Sequence, residues 1–600
     1  MEIWLIFFSS VILIGIFAQW LSWKFRFPSI LALLTFGFIA GQFYDQSAIV
    51  NSDVVFAVVS LSVAVIMLEG GLTLHFRELR DAGPPLIRLI SVGAGITWVL
   101  SAIALHYLAG FSWQVSTLVG AILVVTGPTV IGPLLRNVRP KRHLDSILKW
   151  EGIVIDPIGA ILAVLVFGAV FGHGDHSLTF SETLMNLGLT ILTGLGLGYA
   201  AARALVFVLR RHWVPDFLQS SVLLAVCLAL FTVSNLLQHE SGLLTVTVLG
   251  IGLANQHRAQ VRHILEFKEN LRVILISCLF IILGGRVGWE EIVAVWKEAL
   301  LVIAALIIVI RPLSVFVSTA RTELKVREKL FIALMAPRGI VAAAVAAIFA
   351  LELSNHAAFV EESARIVPVV FSIIFGTVSF YGLLAAPIAR KLGLASPNPQ
   401  GIVFAGANDW TIKIAGAIQE AGFRVLIIDL NYNAVRKARM AGVPGVSANI
   451  ISDYATEEID LSGIGRLLAV TPNDEVNSLA CIGFSHTLGR SNVFQLQPVD
   501  TEKNERNSSS MELSGRHLFG ESVTAKKLEE FGKTESEAKL TLITEEFSYE
   551  DFLERNGEEV IPMFVIREGG KLDVMTTDSL PPENGDTVVS YATVMDTVEL

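Results

Sequence analysis

Charge is scarce in this sequence. Asp, Glu, Lys and Arg make up 17% of its 600 residues, where a soluble protein of that length carries roughly a quarter. The shortage is local. Up to about residue 393 the chain is a series of apolar stretches, and beyond it the composition is that of an acidic soluble domain. After residue 395, 17 Lys and Arg face 32 Asp and Glu, which leaves 28 against 23 for the first part. The net charge of −10 therefore joins two regions of opposite sign. Neither interleaves a basic patch with aromatics, which argues against a nucleic-acid partner. Cysteine is nearly absent: Cys227 and Cys278 lie in apolar stretches and Cys481 in the acidic part, so no disulfide framework is implied. The opening MEIWLIFF lacks the basic region and small-residue cleavage site of a signal peptide, and it is expected to be a retained first helix.

What is abundant is apolar length, with 53% hydrophobic residues and a mean hydropathy of +0.61. A membrane span needs ~20 mostly apolar residues. That criterion predicts about thirteen helices, near 3–23, 28–44, 53–74, 85–109, 113–135, 143–171, 183–209, 217–237, 241–256, 268–287, 293–319, 328–351 and 364–389. Lys and Arg follow the odd-numbered spans, as in Lys24/Arg26, Arg210/Arg211 and Arg390/Lys391. The loops after even-numbered spans read AGFS, HGDH, QHES and WEE. Cytoplasmic loops hold the Lys and Arg excess, so the N-terminus is expected outside and the C-terminal region inside.

Three spans carry polar or helix-breaking residues near mid-depth. The fifth contains VVTGPTVIGP, with Thr126, Gly127, Pro128 and Thr129 about halfway along. Proline removes a backbone donor and clashes with the preceding turn, so a break is expected there. The twelfth contains LMAPRGIVA, with Pro337, Arg338 and Gly339 in the same place. Single Gly and Pro residues merely kink membrane helices. Here they are matched: if spans 1–6 and 8–13 are inverted repeats, the fifth and twelfth are partners, and transporters bind ions where such broken helices meet. The sixth span, KWEGIVIDPIGAILAVLVF, places Asp156 near its middle and Glu151 five residues earlier. That separation is roughly 140° of helix rotation, so the two carboxylates should have different tasks. Desolvation disfavours a charged carboxylate at such depth, which lets Asp156 hold a proton and release it when a cation arrives. Arg338 needs a partner in the interior, and Glu151 is the expected one, as a strut between spans 6 and 12. Glu69 lies towards the cytoplasmic end of the third span, where a structural or entrance role is expected, and Arg311 lies mid-span without an assigned partner.

These segments resemble the NhaP-like branch of the monovalent cation/proton antiporters across essentially the whole membrane part. The matching stretches are LEGGL at 68–72, TGPTVIGPLLR at 126–136, EGIVIDPIGA at 151–160, RPLSV at 311–315 and APRGIVAAAV at 336–345. The resemblance implies that Thr126 and Asp156 bind the monovalent cation and that Glu151 pairs with Arg338. It also implies a homodimer and a bacterial-type inner (plasma) membrane. The chain departs from the family pattern twice: Thr-Asp-Pro is Thr126-Gly127-Pro128, and Asn-Asp is Ile155-Asp156. Both changes remove polar groups from around the ion, so Na⁺ and K⁺ both stand as candidate substrates. One carboxylate serving cation and proton in turn implies about one-for-one, electroneutral exchange.

From residue 401 the period changes. GIVFAG, RVLIID, GVSA, RLLAV and NVFQLQ read as short buried strands alternating with helical segments, a βαβ series that implies a parallel doubly wound sheet. The first turn is Gly406-Ala407-Asn408-Asp409, and Asp429 ends the second strand where a dinucleotide fold places its ribose acid. This resembles the regulatory TrkA or RCK type of nucleotide-binding domain. The resemblance implies AMP, ATP or NAD(H) as the candidate ligand near Gly406, Asn408 and Asp429, with dimerisation alone as the competing role. Asn408 and Trp410 stand where small residues would admit a phosphate. The polar DTEKNERNSSS at 500–510 is expected to link to a last subdomain with strands LTLIT, MFVIR and TVVSY.

The expected architecture is thus a polytopic α-helical membrane domain (1–393) with two broken crossing helices, a Rossmann-like domain (400–499) and a small α+β subdomain (511–600). The expected activity is secondary antiport of Na⁺ or K⁺ against H⁺ by alternating access, needing no cofactor for transport and not enzymatic. A ligand-gated channel fits less well, because no TVGYG-like filter is present. No hydride-transfer constellation supports an oxidoreductase. A proton-coupled exporter of another solute is the remaining alternative.

Overall fold

In a computed structural model the chain divides into two units, Met1–Pro397 and Asn398–Leu600. The structure describes all residues except 1, 26, 44–51, 139, 172–179, 239–240, 257–261, 355, 357, 395–398, 453, 499–513, 521–522, 534–535, 558–559 and 594–600, and statements of absence below concern the described residues. The expected linker at 500–510 lies outside them.

The first unit is built of helices: α1 (Glu2–Phe25), α2 (Ser29–Phe43), α3 (Ser52–Leu72), α4 (Phe76–Arg88), α5 (Ala94–Ala109), α6 (Trp113–Ile122), α7 (Pro128–Val138), α8 (Arg142–Phe171), α9 (Phe180–Arg210), α10 (Asp216–Leu237), α11 (Ser241–Ala254), α12 (Arg262–Gly284), α13 (Trp289–Ala305), α14 (Arg311–Ser318), α15 (Val326–Ala333), α16 (Ile340–Ser354) and α17 (Val360–Lys391). Among the described residues, seven helical runs are long and apolar enough to cross a membrane, and six shorter apolar helices lie among them in the chain. Together they fall on the thirteen predicted stretches. Leu13, Phe17, Leu192, Leu236 and Ile308 stand exposed on the outer faces, an apolar surface suited to lipid. Trp23, Trp213 and Trp289 are exposed at helix ends, where interfacial aromatics collect.

Four spans are not simple helices. Residues 123–127 separate α6 from α7, and residues 334–339 separate α15 from α16. A π turn, Leu89–Gly93, joins α4 to α5, and another, Leu306–Ile310, joins α13 to α14. Pro312 has no N–H to donate back along the helix, and the wider turn just before it is the local consequence. The two π turns occupy the fourth and eleventh spans, partners in the same scheme that pairs the fifth with the twelfth. The two spans also touch beside the turns: Ser314 Oγ on α14 donates to Gly93 O at 2.8 Å, and Thr97 Oγ1 on α5 lies 3.2 Å from Ser314 Oγ.

The second unit opens with β1 (Gly401–Ala405), β2 (Val425–Asp429), β3 (Gly445–Ser447), β4 (Ile464–Ala469), β5 (Val493–Gln495) and β6 (Arg516–His517). They form one parallel sheet in the order β3-β2-β1-β4-β5-β6, the doubly wound order with its switch point between β1 and β4. β1 is buried along its whole length, as a central strand covered on both faces requires. The connecting helices are α18 (Asp409–Glu420), α19 (Tyr432–Met440) and α20 (Asp474–Leu488). A second, antiparallel sheet has β7 (Ser536–Leu542), β8 (Val560–Ile566), β9 (Leu572–Val574) and β10 (Thr587–Thr593) in the order β7-β10-β8-β9. With it come α21 (Ala525–Lys533) and α22 (Tyr549–Asn556). β6, in the stretch expected to open the last subdomain, instead extends the parallel sheet beside β5. Two residues are too short a run to carry a strand pattern in sequence.

Candidate cation-binding site

The site is built around the two interruptions, which meet. The Gly127 N–H donates to Pro337 O at 3.1 Å. A Cβ on Gly127 would come within 2.2 Å of Gly339 Cα, and one on Gly339 within 2.3 Å of Gly127 Cα. The two backbones therefore cross in direct contact, and no side chain fits at either position.

Unwinding a helix inside an apolar unit frees carbonyls that need donors. Arg338 supplies two, donating from Nη1 to Val124 O (3.2 Å) and Val125 O (3.3 Å). Its own backbone N–H donates to Thr377 Oγ1 of α17 at 3.3 Å. The guanidinium thus sits where α6 ends, and its charge opposes the partial negative charge that a helix C-terminus presents. The pairing of Arg338 with Glu151, expected from sequence, is corrected here: Glu151 binds Arg311. Arg311 Nη1 and Nη2 grip the two carboxylate oxygens at 2.5 and 2.8 Å. Arg311 Nη2 also reaches Ile332 O at 3.4 Å, near the end of α15. Both partners are buried, and a bidentate fork is the geometry in which a buried pair best offsets its desolvation. The physical reason for the difference is angular. The π turn at Leu306–Ile310 re-aims the residues beyond it, and Arg311 is the first of these; Arg338 is on unwound backbone and turns to the carbonyls instead. The only sequence signal was the mid-span arginine followed by Pro312.

Asp156 has the opposite environment. It is 0% exposed, and neither carboxylate oxygen has a hydrogen-bond partner in the protein. α8 is seated against the first interruption: a Cβ on Gly159 would come within 2.3 Å of Val125 Cγ2, and Ile155 packs with Val124 and Ala94. Asp156 lies three residues before Gly159 and so shares its helix face, at the level of the unwound segment that carries Thr126. Thr126 Oγ1 is buried and also without a partner. Ser101 Oγ on α5 is another such atom, next to Ala102, whose backbone N lies 2.9 Å from a Cβ built on Gly120. Serines are common in membrane helices, and nothing in the sequence singled out this one. Buried polar atoms are normally bonded, so unmatched oxygens on a carboxylate and a hydroxyl in one neighbourhood are suited to a hard monovalent cation or a proton. Glu69 is engaged elsewhere, accepting from Arg272 Nη1 at 2.8 Å.

In the second unit, the residues expected from sequence at a nucleotide site lie at the C-terminal ends of β1 and β2. Gly406 has φ +124°, a conformation L side chains rarely adopt, and a Cβ there would meet Val470 O at 3.1 Å. Asp429 accepts from the Ala407 N–H and the Asn431 N–H, both at 2.7 Å, so its carboxylate braces the first turn. Asn408 Nδ2 donates to Val470 O at 2.9 Å, tying the same turn to the end of β4. Trp410, expected from sequence to obstruct a phosphate, is buried against Phe519, whose ring stands edge-on at 6.4 Å. It belongs to the core.

Known proteins match both units. The transmembrane sodium/hydrogen exchanger family matches residues 8–391, and the TrkA-N domain family matches residues 402–495. The K⁺/H⁺ antiporter NhaP of Alkalimonas amylolytica is 28% identical over 393 residues, 65% of this chain and 67% of the relative. The K⁺/H⁺ antiporter NhaP2 of Shewanella sp. (strain MR-4) is 25% identical over 320 residues, and the match spans 55% of that relative. The Na⁺/H⁺ antiporter 1 of Methanocaldococcus jannaschii is 25% identical over 345 residues, 56% of this chain and 80% of the relative. The solved sodium proton antiporter MjNhaP1 of the same organism superimposes with a TM-score of 0.57 at 23% identity, covering 65% of this chain and 99% of that one.

Proposed function

The chain belongs to the sodium/hydrogen exchanger family, a family of membrane transporters, and on that footing we propose that it exchanges Na⁺ or K⁺ for H⁺ by alternating access, with Asp156 holding cation and proton in turn. The observation that carries this reading is the buried, unpartnered carboxylate of Asp156 beside the unwound segment of Thr126. Uncompensated charge there is costly, so the carboxylate is neutral with a proton or neutralised by a cation, and each arrival expels the other. Thr126 Oγ1 adds a neutral oxygen ligand. Glu151 takes no part in exchange, because Arg311 already matches its charge. Arg338 holds the crossing and screens the end of α6. One exchanging carboxylate makes the cycle electroneutral. The relatives' names supply both candidate cations, K⁺ for the NhaP proteins and Na⁺ for the archaeal antiporter.

In the same reading the membrane domain spans 1–393 of an inner membrane, with the N-terminus outside and the tail cytoplasmic. The tail comprises a nucleotide-binding domain (400–499) and a last subdomain (511–600), and it regulates a homodimer through AMP, ATP or NAD(H) bound near Gly406, Asn408 and Asp429. Transport itself needs no cofactor. The test is cation-driven proton flux in proteoliposomes across Li⁺, Na⁺, K⁺ and Rb⁺, with Asp156→Asn as the control. Wild type is expected to acidify or alkalinise the lumen on a cation step, and the variant to show only leak. Coupled flux persisting in Asp156→Asn would overturn the mechanism, and a reversal potential showing net charge per cycle would overturn electroneutrality.

A further inference from the structure

The second unit contains another concavity at the opposite end of its parallel sheet. Gly406 and Asp429 lie at the C-terminal ends of β1 and β2, whereas Gln400 precedes β1, Arg466 is early in β4, and Ser491 and Asn492 precede β5. These residues and the second sheet's Arg567, Lys571 and Asp573 enclose about 410 Å³, within the roughly 300–1,000 Å³ of small-molecule pockets.

Its charge runs against its surroundings. The chain after residue 395 has 32 acidic and 17 basic residues, yet Arg466, Arg516, Arg567 and Lys571 line this cavity against one carboxylate, Asp573. Two of the four cations are matched. Arg567 bonds Asp573 at 3.2 Å and Asp586 at 2.7 Å, and Lys571 bonds Asp573 at 2.8 Å. The other two touch no carboxylate among the described residues. Arg466 donates only to Gln400, at its O (3.3 Å) and Oε1 (3.1 Å). Arg516 makes two long bonds of 3.4 Å, to Ser491 O and Thr576 Oγ1, and lies 5.2 Å over the Phe494 ring. Burial pushes the Arg466 guanidinium down from its ordinary range, partly opposed by Asp573. An anion arriving between the two arginines would relieve that cost.

We propose that this cavity binds an organic phosphate of nucleotide size, its phosphate held by Arg466 and Arg516. The guanidinium fork matches phosphate oxygens in pairs. Ser579 and Asn492 line the wall as further polar groups, while Phe494, Val574 and Leu580 provide apolar surface for the organic part. The site joins the parallel sheet to the antiparallel one, so its occupancy would couple the two. It is separate from the crevice at Asp429 and independent of the transport mechanism.

The test is calorimetric titration of the full-length protein in detergent with AMP, ATP and inorganic phosphate, in an Asp429→Asn background that disables the crevice. AMP or ATP is expected to bind saturably, more weakly as salt is added. Adding Arg516→Gln is expected to weaken binding at least tenfold, and Arg516→Lys less. Because Arg516 is exposed, an unchanged melting midpoint will show that the fold is intact. No binding by any probe, or binding indifferent to Arg516→Gln, would overturn the site. Inorganic phosphate binding as tightly as both nucleotides would overturn its organic specificity.

Discussion

Glu151 and Asp156 stand five residues apart on α8, both buried, and differ in one respect. Glu151 is held by two nitrogens of Arg311, while neither oxygen of Asp156 meets a donor. On the proposed mechanism, burial alone does not make an exchange site. What matters is whether the protein has already spent a counter-charge on the group. A matched carboxylate has no reason to trade its partner for a proton, whereas an unmatched one must take whatever the membrane pathway delivers.

The comparison can be broken from either side. The largest effect is expected from Glu151→Gln, which strands the buried Arg311 charge and should cost about 3–5 kcal/mol. The melting midpoint in detergent should fall sharply, Asp156→Asn should leave it unchanged or raised, and Glu151→Gln with Arg311→Met should recover most of the loss. Equal midpoints for Glu151→Gln and Asp156→Asn would mean that the two carboxylates do not differ in this way. A smaller loss of stability, roughly 1–3 kcal/mol from overpacking, is expected from Gly339→Ala. Its Cβ would press on Gly127 Cα, 2.3 Å away, so antiport should fail although the Glu151–Arg311 pair is intact. Full antiport activity in that variant would mean that the crossing tolerates separation. The smallest change is Thr126→Val, which keeps the shape and removes one candidate ligand oxygen. The half-maximal cation concentration for proton efflux should rise about tenfold, equivalent to about 1.4 kcal/mol, with the maximal rate retained. An unchanged cation dependence would exclude Thr126 from the cation's ligands.

Much of this was legible beforehand for physical reasons. Apolar runs long enough to cross a bilayer have few alternative readings, and the alternation of Lys and Arg between loops checks their number. The interruptions could be read at 126–128 and 337–339 because proline and glycine act on their own backbone. The strands of the tail were visible because a buried parallel sheet needs short β-branched runs between turns. The partner of Glu151 was not legible. Two arginines lie mid-span, and their choice depends on helix rotation, which the π turn at Leu306–Ile310 alters by an amount no residue pattern encodes. The packing of Trp410 against Phe519 was not legible either, because it joins segments more than a hundred residues apart.

The residue order thus settled what depends on neighbours along the chain: span length, broken helices, strand rhythm, and the presence of one deep aspartate. Folding decided what depends on contacts between distant segments. It set Gly127 on Gly339, gave Arg338 to carbonyls and Arg311 to Glu151, and left Asp156 with no partner. Those outcomes follow from angles and close approaches summed over many residues, and a buried charge is exchangeable or structural according to which side chain arrives at hydrogen-bonding distance.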